Sequence, residues 1–433
     1  MELLQACEQL TELQAKLSAF GHAMALIYYD GATTAPKGTA ANRGQTLSIL
    51  SRESYLLSTG ETTVQLLEFL DAHKDELDAK QARIVEVAIK DIREMKKIPM
   101  EEYVAYQQLL VEAEDAWHTA KQTNDFALFC PYLEQIFATE RRFALYCAPD
   151  MHPYNYCLNK YEEGLTMERC DEFFAALRSR LVPLFAKIKA APQLDDACIH
   201  GEFCEAEQEK FALELMKAMG IDMDHCGLGT TEHPFTTSLG SHHDVRITTN
   251  YDKENLANSM FSVIHEGGHA LYDLNSDDSL AYTLLDGGVS MGIHESQSRF
   301  YENLLGRSRA FIDFMFPRMQ ECFPTQLANY TAEDMYRAVN LVTPRSSARK
   351  RTRLRMRFTL WCATSWKSSL CRASLRSRIC PQLGTVCILN IWALRFPTTR
   401  AACCRTVIGR AAASVTSPPM RWAAHTARSC LPR

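Results

Sequence analysis

The sequence predicts a mainly α fold, and three observations carry that reading. Apolar residues recur three and four apart through most of residues 1–344. Strand-like alternation is confined to about 235–250. No internal repeat or low-complexity linker divides residues 1–344, so they read as a single large helical domain with a small β element near 235–250. That length is sufficient to bury a sizeable core.

The helical period runs through 5–27, 41–57, 77–95, 99–119, 125–147, 166–190 and 203–219. Pro36-Lys37-Gly38, Ala148-Pro149-Asp150 and Pro192 mark breaks between these stretches. His233-Pro234-Phe235 followed by Thr236 and Thr237 ends the helical pattern, and Val245-Arg246-Ile247-Thr248 then alternates as a short strand. A small sheet there could align a peptide by strand addition. The alternative is a structural hairpin with Arg246 paired to a carboxylate. His242 and His243 are expected to be loop residues rather than ligands.

Residues 254–274 hold the chemistry. Leu256, Met260, Val263, Ile264, Ala270 and Leu271 recur at helical spacing, and Asn250 or Asp252 is placed to cap the start. On this helix His265-Glu266-Gly267-Gly268-His269 puts two imidazoles on one face, four residues apart, where both can grip one metal ion. Glu266 then stands beside the open coordination position and is the expected general base. It takes a proton from the attacking water, whose pKa a catalytic metal lowers to about 7. Gly267 and Gly268 each weaken the helix by about 1 kcal/mol relative to alanine. Glycine at such a place lets a substrate or a neighbouring backbone come close.

A hydrolytic zinc usually has three protein ligands. Glu295 follows His269 by 26 residues, which leaves room for a turn around Asp286-Gly287-Gly288 and a second helix. Glu295, Arg299 and Glu302 are spaced i, i+4 and i+7 and share a face, as a ligand with its supporting shell would. The expected metal ligands are therefore His265, His269 and Glu295. His294 and Arg299 are candidates for stabilising the transition state or holding substrate; His233 and Arg246 are candidate substrate-binding residues.

These motifs resemble the thermostable carboxypeptidase Taq family of metallopeptidases. Leu17-Ser-Ala-Phe-Gly-His-Ala-Met-Ala-Leu-Ile-Tyr-Tyr-Asp30 is similar to the family's opening helix, although the family often has tryptophan where Tyr29 stands. His233-Pro-Phe235, Asp244-Val-Arg246-Ile-Thr248 and His294-Glu-Ser-Gln-Ser-Arg299 resemble three further family motifs, in family order and spacing. The resemblance runs from about residue 5 to Pro344. It implies a deep active-site groove in the helical domain and a cytoplasmic homodimer. It also implies release of C-terminal amino acids from peptides with Zn2+, or Co2+, as cofactor. A zinc endo- or oligopeptidase would use the same chemistry.

Other readings are disfavoured by composition. Glu2, Glu8 and Glu12 interrupt any apolar leader, and no stretch is apolar for about 18 residues, so no membrane role is expected. Nine cysteines are scattered over 1–344 without a Cys-x-x-Cys pair, which suits a reducing compartment.

Residues 345–433 are a different kind of sequence. They contain no Asp or Glu against 18 Lys plus Arg, whereas residues 1–344 hold 52 acids and 29 bases, a net of −23. At the acid frequency of the first region this tail should hold about 13 acids. It also carries 7 of 16 cysteines and 4 of 5 tryptophans. A basic nucleic-acid-binding arm is one reading. Such arms are usually Lys-rich, and only two of these 18 bases are lysine; the acidic body also disfavours a nucleic-acid partner. The second reading is a shifted reading frame. Moving the frame by one base lets Arg345–Met356 encode Phe-Ile-Arg-Thr-Glu-Ala-Asp-Glu-Ala-Ala-Asp. The same shift lets Cys404–Pro419 encode Gln-Asp-Ser-His-Trp-Ala-Gly-Gly-Ser-Phe-Gly-Tyr-Phe-Pro-Ser. Both strings resemble motifs of the same family in the right order. The reading is thus a metallopeptidase domain at 1–344, incomplete at its C-terminal side, and an aberrant basic tail at 345–433. In the family, the C-terminal part covers the core and holds the substrate carboxylate, so apolar faces would here lose their partners.

Sequencing the DNA across codons 340–350 should reveal a one-base deletion at or next to the Pro344 codon. The chain as written should then be poorly soluble or weakly active. An in-frame Arg345 codon in a chain with full peptidase turnover would contradict both expectations.

Overall fold

The computed structural model describes residues 2–192 and 194–342. The basic tail at 345–433 lies outside the described residues. Among those described there are thirteen α-helices and one three-stranded sheet. None of the helices is long and apolar enough to cross a membrane.

The chain begins with α1 (Leu3–Thr33), α2 (Ala40–Thr59), α3 (Glu61–Ala72), α4 (Ala79–Met95) and α5 (Met100–Thr123). It continues with α6 (Cys130–Cys147), α7 (Pro153–Tyr161), α8 (Met167–Ala190) and α9 (Glu205–Ala218). Local chemistry sets several boundaries. The Asp78 carboxylate accepts from Gln81 N at 2.8 Å and starts α4. α5 stops at Asn124, whose φ of 58° is left-handed and suits a C-terminal cap. The stretch expected as one helix over 125–147 is split: Asp125 caps a 3₁₀ turn at Phe126–Leu128, and α6 starts after it with Pro131 in its first turn. α3 and α7 were not expected from the pattern. α7 is nine residues long and buries only Tyr154 and Tyr156, too few apolar positions to declare a period.

Among the described residues, three buried clusters fill the interior. α1, α3 and α4 share one through Leu10, Leu67, Leu70 and Val85. α5 and α6 share another around Tyr106, Leu110 and Phe143. The third surrounds the metal-motif helix and joins α9 (Phe211, Leu215) to the elements that follow.

Those elements are β1 (Cys226–Thr230), β2 (Thr236–Leu239) and β3 (Ser241–Thr249), then α10 (Leu256–Leu274), α11 (Met291–Arg299), α12 (Arg309–Cys322) and α13 (Ala332–Asn340). The sheet order is β1-β3-β2, with β3 parallel to β1 and antiparallel to β2. β1 was missed because Cys226-Gly-Leu-Gly-Thr230 has no alternation. Its glycines are needed for contact: a Cβ at Gly229 would lie 2.4 Å from the Tyr29 hydroxyl, and one at Gly227 2.9 Å from Arg246 Nη1. His242 and His243 are strand residues of β3, which corrects the loop expectation. Pairing with β2 and β1 overrides the weak local signal of that His-rich stretch.

α10 packs against β3, α9 and α11. Leu256, Met260, Val263, Ile264 and Ala270 are at most 1% exposed. The cap differs from expectation. Asn255 is the N-cap residue and makes no side-chain cap bond. Asp252 instead accepts from Glu254 N at 3.0 Å and from the Asn258 amide. The Asn250 amide donates to the Thr231 carbonyl at 3.1 Å. The two helix glycines let neighbours approach, but different ones. A Cβ at Gly268 would meet Ser298 Cα at 2.8 Å, whereas one at Gly267 would meet Met219 Cε at 2.8 Å.

This difference makes a prediction. Met219 is flexible and can swing aside, so Gly267→Ala should change unfolding free energy by less than about 1 kcal/mol. The α11 backbone cannot yield, so Gly268→Ala should destabilise by about 1–3 kcal/mol. Urea unfolding of the two variants measures both.

Candidate metal centre

The site is built where α10 meets α11. His265 and His269 stand one turn apart on α10, and Glu295 faces them from α11. Glu295 Oε2 lies 3.6 Å from His265 Nε2 and 3.4 Å from His269 Nε2. Bonds of about 2.0–2.1 Å at tetrahedral angles require ligand atoms about 3.3–3.4 Å apart, so Glu295 Oε2 stands near ligand spacing from each imidazole. Glu266, with both histidines, also places ligand-type atoms within 4.8 Å of one another. It is the poorer third ligand. Its Oε1 is 3.9 Å from His265 Nε2, and the Thr236 hydroxyl lies 2.9 Å from its Oε2 and 3.0 Å from its carbonyl oxygen.

Buried carboxylates decide which imidazole nitrogens face the metal position. His265 Nδ1 lies 3.0 Å from Glu302 Oε2. A carboxylate only accepts, so Nδ1 donates and Nε2 is left with its lone pair toward Glu295. Glu302 is fully buried and sits in a π-helical turn, Phe300–Leu305, that continues α11. Arg299 Nη1 donates to it at 2.6 Å, and Arg307 Nη2 approaches its Oε1 at 3.8 Å. These cations offset the cost of burying the charge.

His269 is set by a longer chain. His294 Nε2 lies 2.8 Å from Asp273 Oδ1, so it donates there. When its ring is neutral, His294 accepts at Nδ1, where His269 Nδ1 stands 2.7 Å away. In that state His269 donates from Nδ1 and presents the lone pair of Nε2. Asp273 is itself anchored by the Ser238 hydroxyl on β2 at 2.8 Å. Burial opposes a charge on His294, but Asp273 outweighs it and raises its pKa. A cation held by His269 would favour the neutral His294 ring.

The expected residues thus fall into two groups. His265, His269, Glu295, Glu266, His294 and Arg299 come together. His294 has both ring nitrogens engaged, and Arg299 Nε donates to Glu295 Oε1 at 2.8 Å while bridging to Glu302. His294 thus contacts His269, and Arg299 contacts Glu295, two of the expected ligands. Arg246 makes a two-pronged bond to Asp244, at 2.6 and 3.0 Å, which is the carboxylate pairing raised as an alternative. His233 lies in the segment before β2, three residues ahead of Thr236, with Nδ1 3.1 Å from the Pro234 carbonyl. Sequence reasoning missed Thr236, Ser238 and Asp273. Only Asp273 left a signal, being i+4 from His269 on one helix face.

Two imidazoles, a carboxylate and a second carboxylate beside them are the parts of a metal-dependent hydrolase site. The comparisons with known proteins agree. The sequence matches the carboxypeptidase Taq (M32) metallopeptidase family over residues 9–351, and the chain belongs to that family. Carboxypeptidase 1 of Bacillus subtilis is 36% identical over 345 residues, covering 79% of this chain and 69% of the relative. The BsuCP crystal structure superposes with a TM-score of 0.91 at 31% identity, covering 97% of this chain and 84% of the other. The M32 carboxypeptidase from Deinococcus radiodurans R1 gives 0.83 at 31% identity, with 97% and 89% covered. The chain is accordingly a metal-dependent carboxypeptidase, a hydrolase of peptide bonds.

Glu302→Gln should weaken metal binding by about 10–100-fold, since the amide no longer fixes the His265 tautomer with a charge. Competition for metal against a chromophoric chelator measures it. Unchanged affinity would show that the buried carboxylate does not orient this ligand.

Proposed function

We propose that His265, His269 and Glu295 hold a zinc ion, with cobalt as an acceptable substitute, and that Glu266 is the general base for removal of C-terminal residues from peptides. One observation supports this most directly. Glu295 Oε2 completes an edge of 3.6 and 3.4 Å with two Nε2 atoms whose lone pairs are fixed toward it. Bound zinc supplies Lewis acidity that polarises the scissile carbonyl and acidifies water. The rest is done by the chain. Glu266 is 5% exposed and is oriented by Thr236, so its carboxylate is aimed without being a ligand. It takes a proton from the attacking water and passes it to the leaving amine. Arg299 fixes Glu295 through Oε1 and leaves Oε2 free for the metal. His294 positions His269. Contact of His233 and Arg246 with substrate is retained as part of this reading on family resemblance. Arg246 would have to exchange part of its bond to Asp244 for a substrate carboxylate.

The homodimer and the cytoplasmic location also rest on family resemblance. The reading of 345–433 as out of frame gains support from the extent of the match. The family match ends at residue 351, close to the compositional break at 344, and 345 aligned residues span 69% of the Bacillus relative. The part that would grip the substrate carboxylate lies beyond that point in this reading.

Glu266→Gln should lower kcat by about 10²–10⁴-fold while zinc content stays at the wild-type level. A peptide with an amidated C-terminus should resist the enzyme, whereas cleavage of that peptide would favour the endopeptidase alternative. If the chain as written turns over weakly, both assays apply to the chain with its frame restored.

A further inference from the structure

We infer that His242, His243 and Asp278 form a second site for a borderline transition-metal ion such as Zn2+, clamping β3 to the segment that joins α10 to α11. The three side chains bring one ligand atom each within 4.8 Å of one another. His242 Nε2 lies 3.3 Å from Asp278 Oδ1. An ion at about 2.05 Å from both atoms would subtend about 107° between them, close to the tetrahedral angle. His243 Nε2 is 4.0 Å from the same oxygen and needs to close by about 0.6 Å to make a third bond of that geometry. His243 is a partly exposed side chain and Asp278 is largely exposed, so both have room to move, and water can take the fourth position.

A second observation points to a ligand. The buried His242 ring places Nδ1 2.6 Å from Asp286 Oδ1, and the other oxygen of Asp286 accepts the His242 backbone N–H at 3.2 Å. A carboxylate holding one ring nitrogen leaves the other nitrogen to bind a metal. His265 and Glu302 show the same arrangement at the catalytic centre. The donor set of two imidazoles and one carboxylate suits zinc better than calcium or magnesium.

The location gives the site a consequence. Asp278 and Asp286 both lie between His269 and Glu295, in the connection that delivers the third ligand of the catalytic centre. An ion there would fix that connection to the sheet. The inference does not rest on the catalytic reading.

The test uses the full chain, stripped with EDTA and titrated with Zn2+ against a chromophoric chelator. Comparison is with the double variant His243→Ala/Asp278→Ala and with His265→Ala/His269→Ala. The two substituted surface ligands are the exposed ones, so the fold should persist, as a thermal melt without metal will verify. Wild type should bind one more tight zinc equivalent than His243→Ala/Asp278→Ala. That equivalent should remain in His265→Ala/His269→Ala, which separates this site from the catalytic one. Zinc should also raise the melting temperature of His265→Ala/His269→Ala, and the rise should vanish when His243 and Asp278 are also replaced. Equal zinc stoichiometry in wild type and His243→Ala/Asp278→Ala overturns the inference. A zinc-dependent rise that survives loss of all four side chains does so as well.

Discussion

The centre depends on the tautomers of two imidazoles. A histidine binds a metal only through a nitrogen lone pair, and each ring has one to give when neutral. Left in water, His265 and His269 would exchange between tautomers and rotate. Here each Nδ1 faces a fixed partner, Glu302 for His265 and His294, backed by Asp273, for His269. Both Nε2 lone pairs consequently point to the same place, and Glu295 meets them there.

That constraint carries a cost in buried charge. Glu302 is wholly buried and Asp273 nearly so. An isolated carboxylate in such surroundings would take up a proton, and it could then no longer fix its histidine. Arg299 and Arg307 stand against the Glu302 carboxylate, and His294 with Ser238 holds the Asp273 pKa below its ordinary value against the effect of burial. Arg299 does double duty because Glu295 and Glu302 flank it at four and three residues. The π-helical turn after Arg299 places Glu302 at His265, the kind of local irregularity often found at functional sites. Close approach of α11 to α10, permitted by Gly268, brings this whole set within reach of the metal-motif helix.

The legible parts of the site were those encoded within single helices. His265 and His269 declare themselves because four residues is one helical turn. Glu295, Arg299 and Glu302 declare a shared face for the same reason. Thr236 and Ser238 gave no signal, since their partners Glu266 and Asp273 lie 30 and 35 residues away in the chain. Arg246 was readable as a strand residue, but its choice of Asp244 depended on how β3 sits between β1 and β2. The same pairing turned His242 and His243 from expected loop residues into members of a strand, one of them buried.

By itself the sequence determined the mainly helical class, the helix that carries the His265/His269 pair, the candidacy of Glu295 beside it and the compositional break after residue 344. These follow from periodicity, short-range spacing and charge, which are properties of the chain alone. Only the tertiary structure decided which partners the imidazoles meet, the contacts of His294 and Arg299, and those of Thr236 and Asp273. Those depend on which distant groups burial brings together, and a carboxylate acquires a function there only when it is dehydrated against a specific partner.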